Sequence, residues 1–144
     1  MRPQIPVRSA LAGVPGIRVE ALADELVEAH GHDPRGTYAR QFWLPLVGPS
    51  TLLTAGLLVG GLEHAPGGFW VDLARLGQAL GVPGAAGANA KIVRTLDRLV
   101  RFGLADLHAG GPVPLLRVRR AWPPLTARQR SRLPSFLAAS HPAA

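Results

Sequence analysis

Residues 89–102 alternate apolar and basic positions with the period of an α-helix. At about 100° per residue, one face collects the apolar side chains, which are Ile92, Val93, Leu96, Leu99 and Val100. The opposite face collects the cations, which are Lys91, Arg94, Arg98 and Arg101. This pattern predicts a helix that buries one face and exposes a row of positive charge. Asn89 suits its N-cap, and Gly103 should end it because glycine accepts a positive φ without a Cβ clash.

A pair of short strands is predicted directly after this helix. Residues 104–107 form one alternating run, and residues 115–120 form a second, with a loop over 108–114 between them. In the second run, Leu116 and Val118 share one face of the strand, whereas Arg117 and Arg119 share the other.

The preceding segments have clear boundaries in the sequence. An apolar helix is predicted from a Ser50 cap to about residue 64, followed by a strand over 69–71. Asp72 suits the cap of a second helix that runs through Leu80, and a Gly- and Pro-rich turn fills 81–88. From residue 50 the predicted order is helix, strand, helix, helix, strand, strand.

This order resembles the winged helix-turn-helix. VDLARLGQALGV resembles the first helix of the motif, NAKIVRTLDRLVRFGLADL resembles the recognition helix and first wing strand, and LLRVRR resembles the second wing strand. The later LTARQRSRL is similar to the segment that follows the wing in MarR-like bacterial regulators. The resemblance covers roughly residues 50–133 and implies a DNA-binding domain that is mainly α with a small β-wing (α+β).

The rest of the chain is expected to flank that domain, with extra N-terminal helices and a C-terminal tail helix. The predicted boundaries are a flexible N-terminal arm over 1–18, a helical extension over 19–48, the winged-helix domain over 49–120, and a Pro-rich hinge with a basic tail helix over 121–144. Within the extension, helices are predicted over 19–30 and 37–44. A competing interpretation treats the uncharged stretch between Arg40 and Glu63 as a membrane span, but prolines and glycines interrupt it.

Positive charge is concentrated in the C-terminal part of the chain. Residues 1–90 hold 6 arginines against 7 acidic residues, whereas residues 91–144 hold 10 basic residues against 2 acidic ones. Lys91 is the one lysine among the 16 basic residues, so part of the high pI reflects the codon usage of a GC-rich genome. The uneven distribution nevertheless indicates an anionic partner for the C-terminal part.

Double-stranded DNA is the expected partner, because neutralising its closely spaced phosphates gives salt-dependent affinity. The candidate DNA-binding residues are Asn89, Lys91, Arg94, Thr95, Arg98, Arg101, Arg117, Arg119 and Arg120. Residues at the start of a recognition helix normally reach deepest, and most of the arginines are expected to hold the backbone rather than read bases. The competing interpretation is a solvated basic face without a partner.

Other chemistry finds little support in the sequence. His30, His32 and Asp33 lie at a helix end and in a loop without metal-ligand spacing, and the glycines at 81, 84 and 87 do not match a P-loop. None of the serines lies in a G-x-S-x-G turn. We therefore expect no enzyme, no cofactor and no metal. The absence of cysteine and of a signal peptide fits a cytoplasmic, nucleoid-associated protein.

Three functions follow from these observations. The first is a transcriptional regulator, expected to be a homodimer that reads two half-sites. The second is a winged helix used for protein–protein assembly, which the apolar N-terminal helix, the Trp-Pro-Pro hinge and the long turn favour. The third is a nonspecific DNA-organising or replication accessory protein.

Overall fold

The computed structural model describes residues 6–82 and 90–142 and has an α+β fold with a winged-helix-like arrangement. The helices are α1 (Val7–Leu11), α2 (Glu25–His30), a π-helical turn (Ala39–Trp43) that continues into α3 (Leu44–Val47), α4 (Pro49–His64), α5 (Leu73–Ala79), α6 (Lys91–Arg101), α7 (Ala127–Arg130) and α8 (Ser135–Ser140). The strands are β1 (Gly16–Ala21), β2 (Phe69–Asp72), β3 (Ala105–His108) and β4 (Leu115–Val118).

The order of elements from residue 49 onward confirms the prediction. It runs α4, β2, α5, α6, β3, β4, and Asp72 caps α5 by accepting a hydrogen bond from the Arg75 amide. The described strands form one sheet in the order β2-β1-β4-β3, in which β3 and β4 are antiparallel. β1 lies between β2 and β4, antiparallel to the former and parallel to the latter.

The helix predicted over 19–30 is wrong in its first part, because residues 16–21 form β1. Ile17 and Val19 are fully buried, whereas Arg18 and Glu20 point to the other face, which is the two-residue period of a strand. Only the second part, α2, is helical. β-branched residues at alternate positions favour the strand once β4 is available to pair with it.

The arm predicted over 1–18 is also wrong for the described residues from Val7 onward. α1 packs against α6, with Val7 and Leu11 buried in the core. The apolar side chains of this short helix cover α6 beside its basic face, so burial compensates for the ordering of a Pro- and Gly-containing segment.

The central helix α4 reaches His64 as predicted, but Ser50 is not its cap. Gly48 holds the N-cap position and Pro49 the first helical position, where its missing N–H costs nothing. Within the described ranges, no helix combines the length and apolar character needed to cross a membrane. The helix predicted over 37–44 is confirmed and extends to Val47.

The segment predicted as a Pro-rich hinge is extended but fixed to the core. Trp122 is buried against Trp43, with ring centroids 5.4 Å apart. The indole Nε1 of Trp43 donates a hydrogen bond to the Pro123 carbonyl over 3.0 Å. A capping box formed by Thr126 and Gln129 begins α7.

Candidate nucleic-acid interface

α6 is amphipathic, as its sequence predicts. Its apolar side is buried in the core through Ile92, Val93, Leu96 and Leu99. Gly103 follows the helix with φ of 71°, which confirms its predicted role as the stop. The predicted N-cap Asn89 lies outside the described residues, and Ala90 holds that position in the structure.

The basic side of α6 forms one wall of an open cleft of about 350 Å³, which we call the basic cleft. The side opposite this wall is the N-terminus of α4 with the two residues before it, which we call the floor of the cleft, and Arg8 of α1 closes one side. The lining residues are Arg8, Val47, Gly48, Pro49, Ser50, Thr51, Lys91, Arg94, Thr95, Asp97, Arg98 and Arg101. The basic face of α6 predicted from the sequence therefore lines a concave surface and does not project from the protein.

Cations dominate the basic cleft, which is lined by five basic side chains and one carboxylate, a net charge of +4. The carboxylate belongs to Asp97, which is 7% exposed. Its Oδ2 accepts a hydrogen bond from Nε of Arg8 over 3.2 Å and forms an ion pair with Nε of Arg101 at 3.1 Å. Asp97 therefore offsets part of this charge and holds two of the arginines in place.

The other predicted residues of α6 divide into anchored and exposed groups. Nη1 of Arg98 donates a hydrogen bond to the Val47 carbonyl over 3.1 Å. Thr95 is 6% exposed, and its hydroxyl donates to the Lys91 carbonyl over 2.8 Å. Lys91 and Arg94 are exposed and make no ion pair with another described residue. These two are the cations best placed to meet a ligand.

The wing arginines do not line the basic cleft, and each faces an acidic partner. Nε of Arg117 lies 3.3 Å from Asp106 on the neighbouring strand, and Nε of Arg120 lies 3.0 Å from Glu28. Arg119 donates to the Gly103 carbonyl over 2.8 Å and to the Asp24 carboxylate over 2.9 Å. The hydrogen bond from Arg119 lowers the pKa of Asp24 below its usual value. These arginines tie the end of the sheet to α2 and α6.

The sequence patterns do not predict two parts of the basic cleft, which are Arg8 and the stretch from Gly48 to Thr51. Arg8 belonged to a segment predicted to be flexible, and no local pattern relates it to Asp97. The sequence from Gly48 to Thr51 predicts only the start of a helix. The same uncharged Gly-Pro-Ser-Thr sequence is also compatible with an anion site at a helix N-terminus.

His32 and Asp33, two of the residues considered as metal ligands, contact other side chains in the structure. The ring of His32 stacks on Tyr38 with centroids 3.8 Å apart, and Asp33 pairs with Arg35 at 2.8 Å. No group of three or more His, Asp or Glu residues in the described part of the chain is arranged to hold a metal ion.

Comparison with known proteins gives a structural likeness. No protein-family model matches the chain, and no curated protein matches it. Among solved structures, the chain is similar to primosome protein DnaB (residues 1–300) from Geobacillus stearothermophilus, with a TM-score of 0.51 and 23% identity. The match covers 90% of this chain and 47% of that one, so the chain spans about half the neighbour's length. The likeness is one of fold.

Proposed function

We propose that this protein is a non-enzymatic, replication-associated accessory protein that binds duplex DNA through the basic cleft. The observation that carries the proposal is the grouping of Arg8, Lys91, Arg94, Arg98 and Arg101 around one cleft with a single carboxylate. These cations come from two separate segments of the chain, so codon usage alone does not account for their convergence.

Phosphate contacts fit this surface better than base reading. The cleft is concave and lies between α1, α4 and α6. The phosphate backbone of one DNA strand therefore fits into the cleft more readily than α6 fits into the major groove. Contacts to phosphates fix position on the duplex and carry no sequence information directly. Binding with little sequence preference is the expected result, and each neutralised phosphate releases counterions.

The replication-associated role is favoured over transcription regulation by the name of the structural neighbour, a primosome protein. The MarR-like relationship, the homodimer and a nucleoid location stay predictions. A regulator's wing would offer free cations to the DNA, whereas Arg117, Arg119 and Arg120 have acidic partners here.

Protein–protein assembly is the second candidate, and a separate surface favours it. Leu53 and Leu57, one turn apart on α4, are 61% and 46% exposed. They border a largely apolar groove of about 430 Å³ that also contains Leu52 and Leu80. Exposed apolar patches of this kind are typical of interaction sites.

Fluorescence anisotropy with a random 20-base-pair duplex across a potassium chloride series tests the main proposal. The wild-type protein should bind with a steep salt dependence. The double variant Lys91→Gln/Arg94→Gln should lose at least tenfold in affinity. Its slope of log Kd against log salt should fall by up to about 2, since each phosphate contact contributes about 0.9.

The matched control is Arg128→Gln/Arg132→Gln, which removes the same charge from exposed positions outside the basic cleft. Equal losses in the two double variants would mean that overall charge, and not the cleft, attracts the DNA. A protein that binds no duplex at low salt would overturn the proposal and favour assembly. Strong preference for the protein's own upstream DNA over random duplex would favour a regulator.

A further inference from the structure

The start of α4 forms the floor of the basic cleft and presents unused hydrogen-bond donors. Gly48, at the N-cap, has no side chain to accept from the first helical amides, and Pro49 has no N–H. The first i→i−4 hydrogen bond of α4 is donated by the Leu52 amide to the Gly48 carbonyl over 3.1 Å. The amides of Ser50 and Thr51 thus remain available at a helix end that favours anions.

Thr51 adds an independent observation. The residue is 2% exposed and lines the basic cleft. Its hydroxyl makes no hydrogen bond to another described residue, unlike Thr54, whose hydroxyl donates to the Ser50 carbonyl over 2.7 Å. In the described ranges no completely inaccessible side-chain oxygen lacks a partner, so the Thr51 hydroxyl keeps a small accessible surface, and Thr51 is one of the residues that line the cleft.

Arg98 completes the arrangement from the opposite wall. A Cβ at Gly48 would lie 3.3 Å from Nη1 of Arg98, so the guanidinium stands directly over the N-cap. Gly48 has φ of 86° and ψ of 162°, a conformation that is almost restricted to glycine. Gly48 thus brings a cation close to the uncapped amides of α4 without a Cβ between them and the guanidinium.

We infer that the floor of the basic cleft is a phosphate-binding site, formed by the amides of Ser50 and Thr51, the Thr51 hydroxyl and the Arg98 guanidinium. A tetrahedral oxyanion accepts from several converging donors at once, and a helix N-terminus favours its charge. The site takes a phosphate group either from a nucleic-acid backbone or from free phosphate. The backbone assignment rests on the proposed function, whereas the phosphate chemistry does not.

NMR titration of the ¹⁵N-labelled 144-residue chain tests this inference. Inorganic phosphate is added at constant ionic strength, with potassium chloride as the reference salt. The Ser50 and Thr51 amide resonances should shift with saturation. Thr51→Val should weaken phosphate binding about fivefold, the effect of one lost hydrogen bond. Thr51→Ser, which keeps the hydroxyl, should restore it.

Thr54→Val is the matched control, because it removes a buried hydroxyl from the same helix outside the cleft lining. Phosphate that leaves the Ser50 and Thr51 amides unmoved would overturn the inference, as would equal weakening by Thr51→Val and Thr54→Val. A duplex oligonucleotide that shifts the same amides identifies the backbone as the source. Phosphate shifts without duplex shifts support the site with free phosphate as its ligand, and the proposed function then fails separately.

Discussion

Asp97 on α6 accepts a hydrogen bond from Arg8, 89 residues earlier, over 3.2 Å between Oδ2 and Nε, and the two side chains form an ion pair. The same oxygen faces Nε of Arg101 one turn later on α6. A single carboxylate with 10% of its side chain exposed therefore orients two cations of the basic cleft and attaches α1 to α6. It opposes the attraction of an anion while it stabilises the fold.

Asp97→Asn should therefore raise DNA affinity and lower stability. Removing one negative charge from the cleft should tighten duplex binding about fivefold, since a unit charge at about 4 Å in water is worth about 1 kcal/mol. Loss of the two ion pairs should reduce the free energy of unfolding by about 1–2 kcal/mol, because both arginines are partly exposed. Anisotropy and urea denaturation measure the two effects.

The control for this change is Asp106→Asn. It alters the overall charge equally, but Asp106 pairs with Arg117 on the wing and does not line the cleft. Its effect on affinity should stay below about twofold, since Asp106 pairs with Arg117 outside the cleft lining and salt screens exposed charges. Equal gains from both variants would contradict a local role for the cleft.

Gly48→Ala should destabilise the protein through its backbone. The conformation of Gly48 is strained for any residue with a Cβ, and the added methyl would crowd Nη1 of Arg98 at 3.3 Å. A loss of about 1–3 kcal/mol in the free energy of unfolding is expected from urea titration. Gly67→Ala, where a Cβ meets nothing within 4 Å, should change it by less than about 0.5 kcal/mol. Similar losses at both positions would contradict the strain argument.

Substitutions of Arg94 and Arg119 should distinguish residues that bind DNA from residues that stabilise the fold. Arg119 donates to the Gly103 carbonyl and the Asp24 carboxylate, so Arg119→Gln should lower the urea midpoint. The lost bond to Gly103 alone is worth about 1 kcal/mol. Arg94→Gln should leave the midpoint unchanged and weaken duplex binding severalfold, because Arg94 is exposed on the cleft. A larger loss of DNA affinity in Arg119→Gln than in Arg94→Gln would assign DNA contact to the wing.

Sequence patterns predicted the elements whose determinants are local. The four-residue spacing of Ile92, Leu96 and Val100 and the Asp72 cap depend only on near neighbours, and both are present in the structure. β1 was missed because Val19 and the apolar residues after it also fit a helical face. The strand is decided by pairing, such as that of Val19 with Leu116, which the local sequence does not contain.

Only part of the candidate site can be predicted from the sequence, for the same reason. The basic face of α6 follows from periodicity, but its burial in a cleft depends on the long-range contacts of Arg8 and of Gly48. The roles of Arg119 and Arg120 likewise depend on Asp24 and Glu28, about 90 residues earlier. A cation's sequence position predicts its side of a strand, whereas its counter-ion depends on tertiary packing.

His32 should make the fold sensitive to mild acid. Its ring stacks on Tyr38, whose hydroxyl lies 2.7 Å from Nε2 of His141. Burial, with a contribution from His141, lowers the pKa of His32 below its ordinary value of 6.5. Between the lowered folded pKa and about 6.5, the unfolded chain therefore binds more protons than the folded chain. Stability is complete above about pH 6.5 and falls as the pH drops towards the lowered folded pKa.

Urea denaturation at pH 7.5 and 5.5 measures this loss. His32→Phe, which keeps a stacked ring without a titratable group, should lose less stability between the two pH values than the wild type. His30→Gln, at an exposed position on α2, should lose as much as the wild type. The pKa values of Asp33 and Glu63 are lowered by hydrogen bonds from Arg35, so their stabilising effect disappears only in stronger acid, as the pH falls through those values. An unchanged loss in His32→Phe would assign the acid sensitivity to another group.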